Sequence, residues 1–424
     1  MLRWRTLRRG LVIVLAGGLV LYLAFLLYSR VRLRRAEAAF LKTFGTLDLA
    51  SFERRDPPRS ENAAEWLQAG AQVVFLDDKT RTLVGVAASR TEPDWSDEER
   101  ESLRRALDDN RCALDLMHRA ASAPQTSYCI RYSEGTSAAI PRWVTLRTAG
   151  HLLAVEARMA VQRGDGSAAV TAFRTLARLS VSLEDEPIPT TLLMGFACEY
   201  PLLRVLAEVA ARPNGAVNEA ELVRAGREAL PANDLSVQVR RAFAHSGLAT
   251  SKAFADWPGA SRRWGSNDDR LLEFIAVLSS DLVRAELLDS VAALASVLDA
   301  LATSGGAPGD ERPAHASYLP HVRLAEMMGP HVSRMRDAAR DTLGRRHLVR
   351  TALALRALGA AGTYPGTLPL ELQRPDPLTG KPLAYTLHPD GSATLALQLD
   401  AVARTPRSPS TIVLPPPTRL ETRR

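Results

Sequence analysis

Three histidines lie close together in the sequence and are the first candidates for metal chemistry. His315, His321 and His331 fall within 17 residues. Two metal ligands on one helix need a separation of about four residues, as in HExxH, or a turn that brings them together. Separations of six and ten residues provide neither arrangement. We therefore expect histidines at the surface or at helix ends, and no metal site.

Two acidic runs could supply a pair of carboxyl groups for acid–base chemistry such as glycoside hydrolysis. Asp97-Glu98-Glu99 follows Ser96, which is the order of a capping box in which Ser96 and Glu99 bind each other's backbone amides. Glu184-Asp185-Glu186 ends a predicted helix, where we expect a solvated turn. A carboxylate pair stays open as the chemical alternative for these runs.

Six arginines in a short stretch near the C-terminus could bind an anion. Asp337 and Asp341 lie among them. Charges of both signs along one helix are typical of a solvated face, so we expect these side chains to be exposed. The six are Arg334, Arg336, Arg340, Arg345, Arg346 and Arg350.

The sequence lacks the common motifs for catalysis and nucleotide binding. It contains no GxSxG, no GxGxxG and no GxxxxGK[ST]. Cys112, Cys129 and Cys198 show no CxxC and no Cys/His metal spacing. Cys112 and Cys129 could form a bridge in an oxidising compartment, or all three could be buried free thiols. We predict no catalytic, cofactor-binding or metal-binding residue, no cofactor and no enzyme activity.

The first 35 residues contain the strongest structural signal. Leu11 to Tyr28 is a run of 18 residues without a charge. As a helix it would span about 27 Å, enough for the hydrocarbon core of a bilayer. Bulky or charged residues follow it at 26–31 instead of a cleavage site, so an anchor is favoured over a signal peptide. Its flanks hold Arg3, Arg5, Arg8, Arg9, Arg30, Arg32, Arg34 and Arg35.

The charge distribution bears on orientation and partners. With four arginines on each side, only the α-amino group favours an N-terminus inside, which would place the body in the periplasm or outside the cell. The chain has 54 basic and 47 acidic residues, a net charge of +7. Eight of the 54 basic residues are the arginines that flank the apolar run, so the rest of the chain has 46 basic and 47 acidic residues and is nearly neutral. A nucleic-acid-binding body is therefore not expected, and the arginines would meet anionic lipid head groups.

Apolar spacing in the body predicts helices. We expect one at 61–75, a loop at 77–93, a capped helix from Ser96 to about Ala121 and a loop at 122–141. Trp143–Arg163 and Ser167–Glu184 should form a hairpin like one tetratricopeptide unit, with no second copy in the chain. Further helices are expected near 190–212 with a kink at Pro201, and near 218–230, 234–256, 268–302 and 319–361.

The C-terminal region has a different character. Ala384–Leu387 and Ala393–Leu397 flank His388-Pro389-Asp390-Gly391, which predicts a β-hairpin. The stretch from His347 to Leu397 resembles the C-terminal half of a type II secretion pseudopilin, where a helix precedes a G-x-Y-P turn, a D-P-x-x-G-x-P-x-x-Y segment and a small antiparallel sheet. The matching residues here are Gly362, Tyr364, Pro365, Asp376, Pro377, Gly380, Pro382 and Tyr385.

The whole chain resembles large membrane-anchored bacterial proteins that combine an anchor, a helical region and this pseudopilin-like end. Two departures from pseudopilins bear on function. Gly10-Leu11 would be the processing site, but position 15 is Leu where pilins carry a Glu, which argues against processing and polymerisation. Asp390 is the one acid in the hairpin, too few for a calcium site.

These observations predict a mainly α-helical protein with an N-terminal transmembrane helix, a multi-helix body and a small C-terminal α+β hairpin region. The expected function is a membrane-anchored scaffold or interaction protein of the bacterial cell envelope, in the inner membrane, with lipid contacted through Leu11–Tyr28 and protein partners in the envelope. A divergent pseudopilin-like secretion subunit and a membrane-tethered hydrolase are the alternatives. The expected segments are 1–10 basic flank, 11–28 transmembrane helix, 29–60 juxtamembrane helix and linker, 61–303 helical domain, 304–318 linker, 319–400 long helix plus β-hairpin, and 401–424 disordered tail.

Overall fold

A computed structural model describes the backbone of residues 2–90, 95–212, 219–233, 235–255, 280–292, 323–359, 363–376, 381–398 and 410–417. The protein is mainly helical, with 73% helix and one small antiparallel sheet. Side chains are described for most of these residues, except those of 2–14 and most of 323–336. The predicted linker at 304–318 lies outside the described residues.

The helices follow the predicted apolar spacing along most of the chain. Short 3-10 turns at Leu49–Phe52, Arg59–Glu61, Ala120–Ser122, Tyr132–Ser137 and Leu370–Leu372 connect them. The helices are α1 Leu2–Phe44, α2 Ala63–Val73, α3 Asp78–Ser89, α4 Asp97–Asp109, α5 Arg111–Arg119, α6 Trp143–Arg163, α7 Gly166–Glu184, α8 Pro189–Ala211, α9 Glu219–Ala229, α10 Leu235–Ala255, α11 at 280–292 and α12 Arg323–Gly359.

The first helix has two parts with different surroundings. Leu15 to Tyr28 is an exposed apolar stretch, in which Leu21 is 73% exposed and Leu27 is 66% exposed. From Ser29 onward one stripe of the same helix is buried against the body, at Ser29, Leu33, Ala36 and Phe40. Within the described residues, α1 is the one helix long and apolar enough to cross a membrane. One continuous helix therefore joins the exposed apolar stretch to the packed body.

The predicted helical hairpin forms the centre of the core. Helix α6 ends at Gly164, whose φ of 72° is the left-handed conformation that glycine adopts without strain. Helix α7 begins at Gly166 and packs against both α6 and α8. Leu153, Phe173, Leu176 and Leu206 are fully buried here. Pro201 lies inside α8, as predicted. The helical pair is confirmed, while its likeness to a tetratricopeptide unit stays a prediction.

Two local predictions were wrong in the first half of the body. Residues 78–89 form helix α3 instead of a loop, with Val84, Ala87 and Ala88 buried. The helix expected from Ser96 to Ala121 is divided at Asn110, whose side chain bonds the backbone of Phe75 through both amide atoms. The capping box itself is present, because Ser96 and Glu99 bind each other's backbone amides at 3.0–3.1 Å.

The C-terminal sheet has one strand more than predicted. Strands β1 Ala384–Leu387 and β2 Ala393–Ala396 form the expected hairpin. Strand β3 Thr411–Leu414 pairs antiparallel with β2, so the expected disordered tail was wrong for these residues. Ile412 and Leu414 are buried, and β3 packs against α8 and α12. The alternation of buried and exposed residues in β3 is that of a strand with one face on the core.

Candidate functional site

A buried cluster of one arginine and two carboxyl groups lies where α7, α8 and α12 meet. Arg346 Nε donates to Glu199 Oε1 at 2.5 Å. Its Nη2 donates both to Glu199 Oε2 at 2.8 Å and to Glu184 Oε2 at 2.7 Å. Arg346 Nη1 donates to the side-chain oxygen of Asn233 at 2.9 Å. All three charged side chains are at least 97% buried.

Close packing of α7 and α8 brings the two carboxyl groups together. A Cβ atom on Gly195 of α8 would lie 2.6 Å from Glu184 Cγ and 3.0 Å from the Glu184 backbone nitrogen. Only a residue without a side chain fits at this position. Glu184 also accepts hydrogen bonds from Ser180 at 3.0 Å and from the Asn233 amide at 2.8 Å. The short separation of the helices therefore positions Glu184 for Arg346.

The cluster has one positive charge for two acidic groups. Burial raises the pKa of Glu199, Arg346 lowers it and the charge of Glu184 raises it, and together these effects bring it to about 8. Two carboxyl groups that share one site do not both ionise easily. The cluster therefore favours a state in which Glu199 holds a proton and the buried charges balance. This state removes much of the cost of burying a second carboxylate.

An open cleft of about 420 Å³ lies beside the cluster, on the other side of Arg346. Helix α12 forms one wall, and residues 231–233 and 371–375 form the others. The lining contains neither Glu184 nor Glu199, so Arg346 separates the buried carboxyl groups from the cleft. Its basic residues are Arg346, His347, Arg350 and Arg374, and its apolar residues include Pro231, Leu343, Leu372 and Pro375.

His347 has a defined tautomer in the cleft. Its Nε2 lies 3.0 Å from the backbone oxygen of Arg374, which can only accept, so Nε2 carries the proton. Burial lowers the pKa of His347, and the charges of Arg350 and Arg374 lower it too, while Asp376 opposes them. The imidazole is therefore neutral at pH 7, and Nδ1 is left with a lone pair that makes no hydrogen bond to the described residues.

A second buried polar cluster contains the other end of the acidic run. Tyr132 donates a hydrogen bond to Glu186, and both side chains are buried. Burial raises the pKa of Glu186, while Arg54 opposes that shift. His245 packs edge-on against Tyr132 and Phe52, and neither ring nitrogen has a hydrogen-bond partner among the described residues. The cleft beside α12 is lined by none of these residues.

These clusters correct two expectations from the sequence. Glu184 is 0% exposed and Glu186 is 2% exposed, so the acidic run is not a solvated turn. Arg345 and Arg346 are buried as well, so the arginine stretch is not a solvated face along its whole length. The sequence has no local signal for the burial of Glu184, because its charged partner Arg346 lies 162 residues away.

The remaining candidates from the sequence do not form a site in the described structure. His315 and His321 lie outside the described residues, and the side chain of His331 is not described. No group of three or more His, Cys, Asp or Glu residues in the described part of the chain could hold a metal ion. The three cysteines are free thiols, and Cys112 is exposed, so the expectation of three buried thiols was wrong for it.

Comparisons with known proteins provide no name for this arrangement. No family model matches the chain, and neither a curated protein nor a solved structure matches it.

Proposed function

We propose that the chain is a single-pass membrane protein of the bacterial cell envelope whose helical body acts as a scaffold or interaction module. The observation that carries this proposal is the continuity of α1. Its exposed apolar stretch ends at Tyr28, and the buried stripe begins at Ser29. A lipid-facing rod joined directly to a packed body would hold that body at the bilayer surface.

Ion pairs support a fixed connection between α1 and the body. Arg32 lies 3.4 Å from Asp289, and Arg284 lies 3.5 Å from Glu37, so α1 and α11 are paired at two points. Arg30, directly after the apolar stretch, and Arg34, between the two paired residues of α1, are exposed. Exposed arginines at this depth fit the phosphate groups of lipids. The first turn after the membrane would therefore contact head groups and the body together.

The inner membrane is the proposed location, with the N-terminus inside and the body outside the cytoplasm. The test is a reporter active only outside the cytoplasm, fused after Arg424, with a cytoplasm-only reporter as the reciprocal control. Activity of the first reporter alone is expected. Activity of the cytoplasmic reporter alone would reverse the orientation and move the search for partners to the cytoplasm.

The scaffold role is tested by crosslinking the full-length protein in its native membrane and purifying it. Recovery of the same envelope protein in independent preparations is expected. The matched control is an unrelated single-pass protein of equal abundance. If no partner is enriched over that control, the scaffold proposal loses its support.

A divergent pseudopilin-like subunit is a second candidate. Tyr385 Oη donates to the backbone oxygen of Pro365 at 2.6 Å, which joins the two parts of the motif that suggested the resemblance. The long helix α12 also precedes the small sheet, in the expected order. The intact mass of the mature protein decides this point, because a subunit processed at Gly10-Leu11 would lack the first ten residues.

A membrane-tethered hydrolase is the third candidate, and the cleft beside α12 favours it. His347 presents an unprotonated Nδ1 in a concave site that is also lined by three arginines, an arrangement that could accept a proton from water. The test is hydrolysis of a panel of ester and phosphoester substrates by the full-length protein and its His347→Gln variant. Equal rates for the two proteins would exclude His347 as a base.

A further inference from the structure

The cleft between α12 and residues 371–375 combines an apolar interior with a basic rim. Leu343, Leu372 and Pro375 provide apolar walls, while Arg350 and Arg374 provide guanidinium groups. Its volume of about 420 Å³ lies within the range typical of small-molecule sites, roughly 300–1,000 Å³. Such sites are mostly apolar, with a few polar groups that orient the ligand.

Neither rim arginine forms a salt bridge with a carboxylate of the described structure. Arg350 Nη2 donates to the backbone oxygen of Pro231 at 2.9 Å, a neutral acceptor. The Arg374 side chain makes no hydrogen bond or ion pair with the described residues. Arg346, in contrast, is fully paired with Glu184 and Glu199. The free donors of the cleft therefore belong to Arg350 and Arg374.

The positive charges act on one another. Partial burial lowers the pKa of Arg350, and the charges of Arg346 and Arg374 lower it further, while Glu199 acts in the opposite direction. Glu371 is the one acidic side chain among the described residues that line the cleft, and it forms no ion pair with either arginine. An anion between Arg350 and Arg374 would relieve their repulsion.

We propose that this cleft binds a small amphiphilic anion, with its carboxylate or phosphate held by Arg350 and Arg374 and its apolar part against Leu343 and Leu372. A guanidinium group suits both head groups, because its parallel N–H donors match two oxygens of either one. A purely polar anion could bind the two guanidinium groups but would gain little from contact with the apolar walls. This binding site is independent of the scaffold role.

The test measures binding of four soluble probes to the full-length protein in nanodiscs of zwitterionic lipid, with empty nanodiscs as the blank. Benzoate and phenyl phosphate carry the two head groups on one apolar ring, benzyl alcohol lacks the charge, and inorganic phosphate lacks the ring. Equilibrium dialysis is expected to give a Kd of about 1 mM for benzoate or phenyl phosphate, an affinity typical of ligands of this size. The tighter of the two identifies the head group.

Four variants determine where the probe binds. Arg374→Gln and Arg350→Gln should each weaken binding about tenfold, the loss typical of a charge-assisted bond. Glu371→Gln should tighten binding about two- to fivefold, because it removes the opposing charge. Arg163→Gln is the matched control, since Arg163 is exposed and makes no ion pair with the described residues; it should leave the Kd unchanged.

Three results would overturn the proposal. The first is that neither benzoate nor phenyl phosphate binds at a concentration about ten times the expected Kd. The second is that benzyl alcohol binds as tightly as the two anions, and the third is that Arg374→Gln leaves the Kd unchanged. Since Arg374 has no described side-chain partner, its replacement does not endanger the fold, and thermal unfolding of the variant provides the check.

Discussion

Arg346 and Glu199 are separated by 147 residues in the sequence, yet Arg346 Nε lies 2.5 Å from Glu199 Oε1 inside the core. Glu184 shares the same guanidinium group at 2.7 Å. The cluster connects three helices that meet at the centre of the body, α7, α8 and α12. A buried ion pair of this kind contributes little net stability as a pair, but its disruption leaves a charge without a partner.

Removal of the arginine should therefore cost far more than neutralisation of one acid. Arg346→Met is expected to destabilise the protein by about 3–5 kcal/mol, because two buried carboxyl groups lose their partner. Glu199→Gln should cost less, about 1–2 kcal/mol, because its amide oxygen can still accept from Arg346 Nε while Arg346 keeps Glu184 as its charged partner. Thermal unfolding of the full-length protein in detergent at pH 7 measures both. Similar losses for the two variants would mean that the cluster does not share a proton.

The same cluster should make stability depend on pH. In the folded protein the pKa of Glu199 is raised from its ordinary value of 4.5 to about 8, so the folded protein holds a proton that the unfolded chain releases. The contribution of Glu199 to the free energy of unfolding is therefore complete below pH 4.5. It is lost as the pH rises to about 8, by up to about 1.4 kcal/mol per pH unit. Glu199→Gln should flatten the fall between pH 7 and 8. An identical slope in the two proteins would contradict the protonated state.

His245 should produce the opposite slope at lower pH. Burial lowers its pKa to about 4, so the unfolded chain binds a proton that the folded protein does not. Its contribution to stability is complete above pH 6.5 and is lost as the pH falls towards 4. His245→Phe should stabilise the protein by about 2 kcal/mol at pH 5 relative to pH 7. Unfolding measured at both pH values provides the comparison, and a gain of equal size at both would assign the effect to packing alone.

Gly195 should tolerate no side chain. An added Cβ would lie 2.6 Å from Glu184 Cγ, with the backbone of α7 also in contact. Gly195→Ala should separate α7 from α8 and destabilise the protein by about 1–3 kcal/mol, despite the better helix propensity of alanine. Gly17→Ala is the control, because nothing lies within 4 Å of its added Cβ. Unfolding in urea compares the two variants, and a stabilised Gly195→Ala would show that the helices can move apart without cost.

Local sequence signals were enough to predict most of the helices and the hairpin of the sheet. Ser96 and Glu99 mark a helix start, and the apolar spacing from Trp143 to Glu184 marks the central pair, because both signals lie within a few residues. The apolar stretch of the first helix was equally clear from its length and composition, while its place in a membrane stays a prediction. The structure confirms these elements because neighbouring residues specify them.

What could not be predicted depends on contacts between distant residues. Helix α3 has a polar sequence, but Arg158 of α6 donates to the backbone oxygens of Ala87 and Arg90 at its end. The acidic run at 184–186 was expected to be solvated, but in the fold Arg346 binds Glu184 and Tyr132 binds Glu186. Arg350 and Arg374 lie on the rim of the same cleft. The sequence does not show that they are close, because this depends on how residues 371–375 pack beside α12.

Strand β3 is the sharpest case, and its alternating burial provides a matched pair of variants. Ile412 is 3% exposed and faces the core, whereas its neighbour Val413 is 53% exposed. The sequence around this strand is rich in proline and arginine, which favoured disorder, and four residues are too few to reveal the pairing with β2.

Ile412→Asp would place a charge on the core face of the sheet, beside α8 and α12, and should release β3 from β2. Amide hydrogen exchange at Ala393–Ala396 should then accelerate by about a hundredfold, which corresponds to a loss of roughly 3 kcal/mol. Val413→Asp should change it little, because that side chain points to solvent. Equal protection of β2 in both variants would mean that β3 contributes nothing to the sheet.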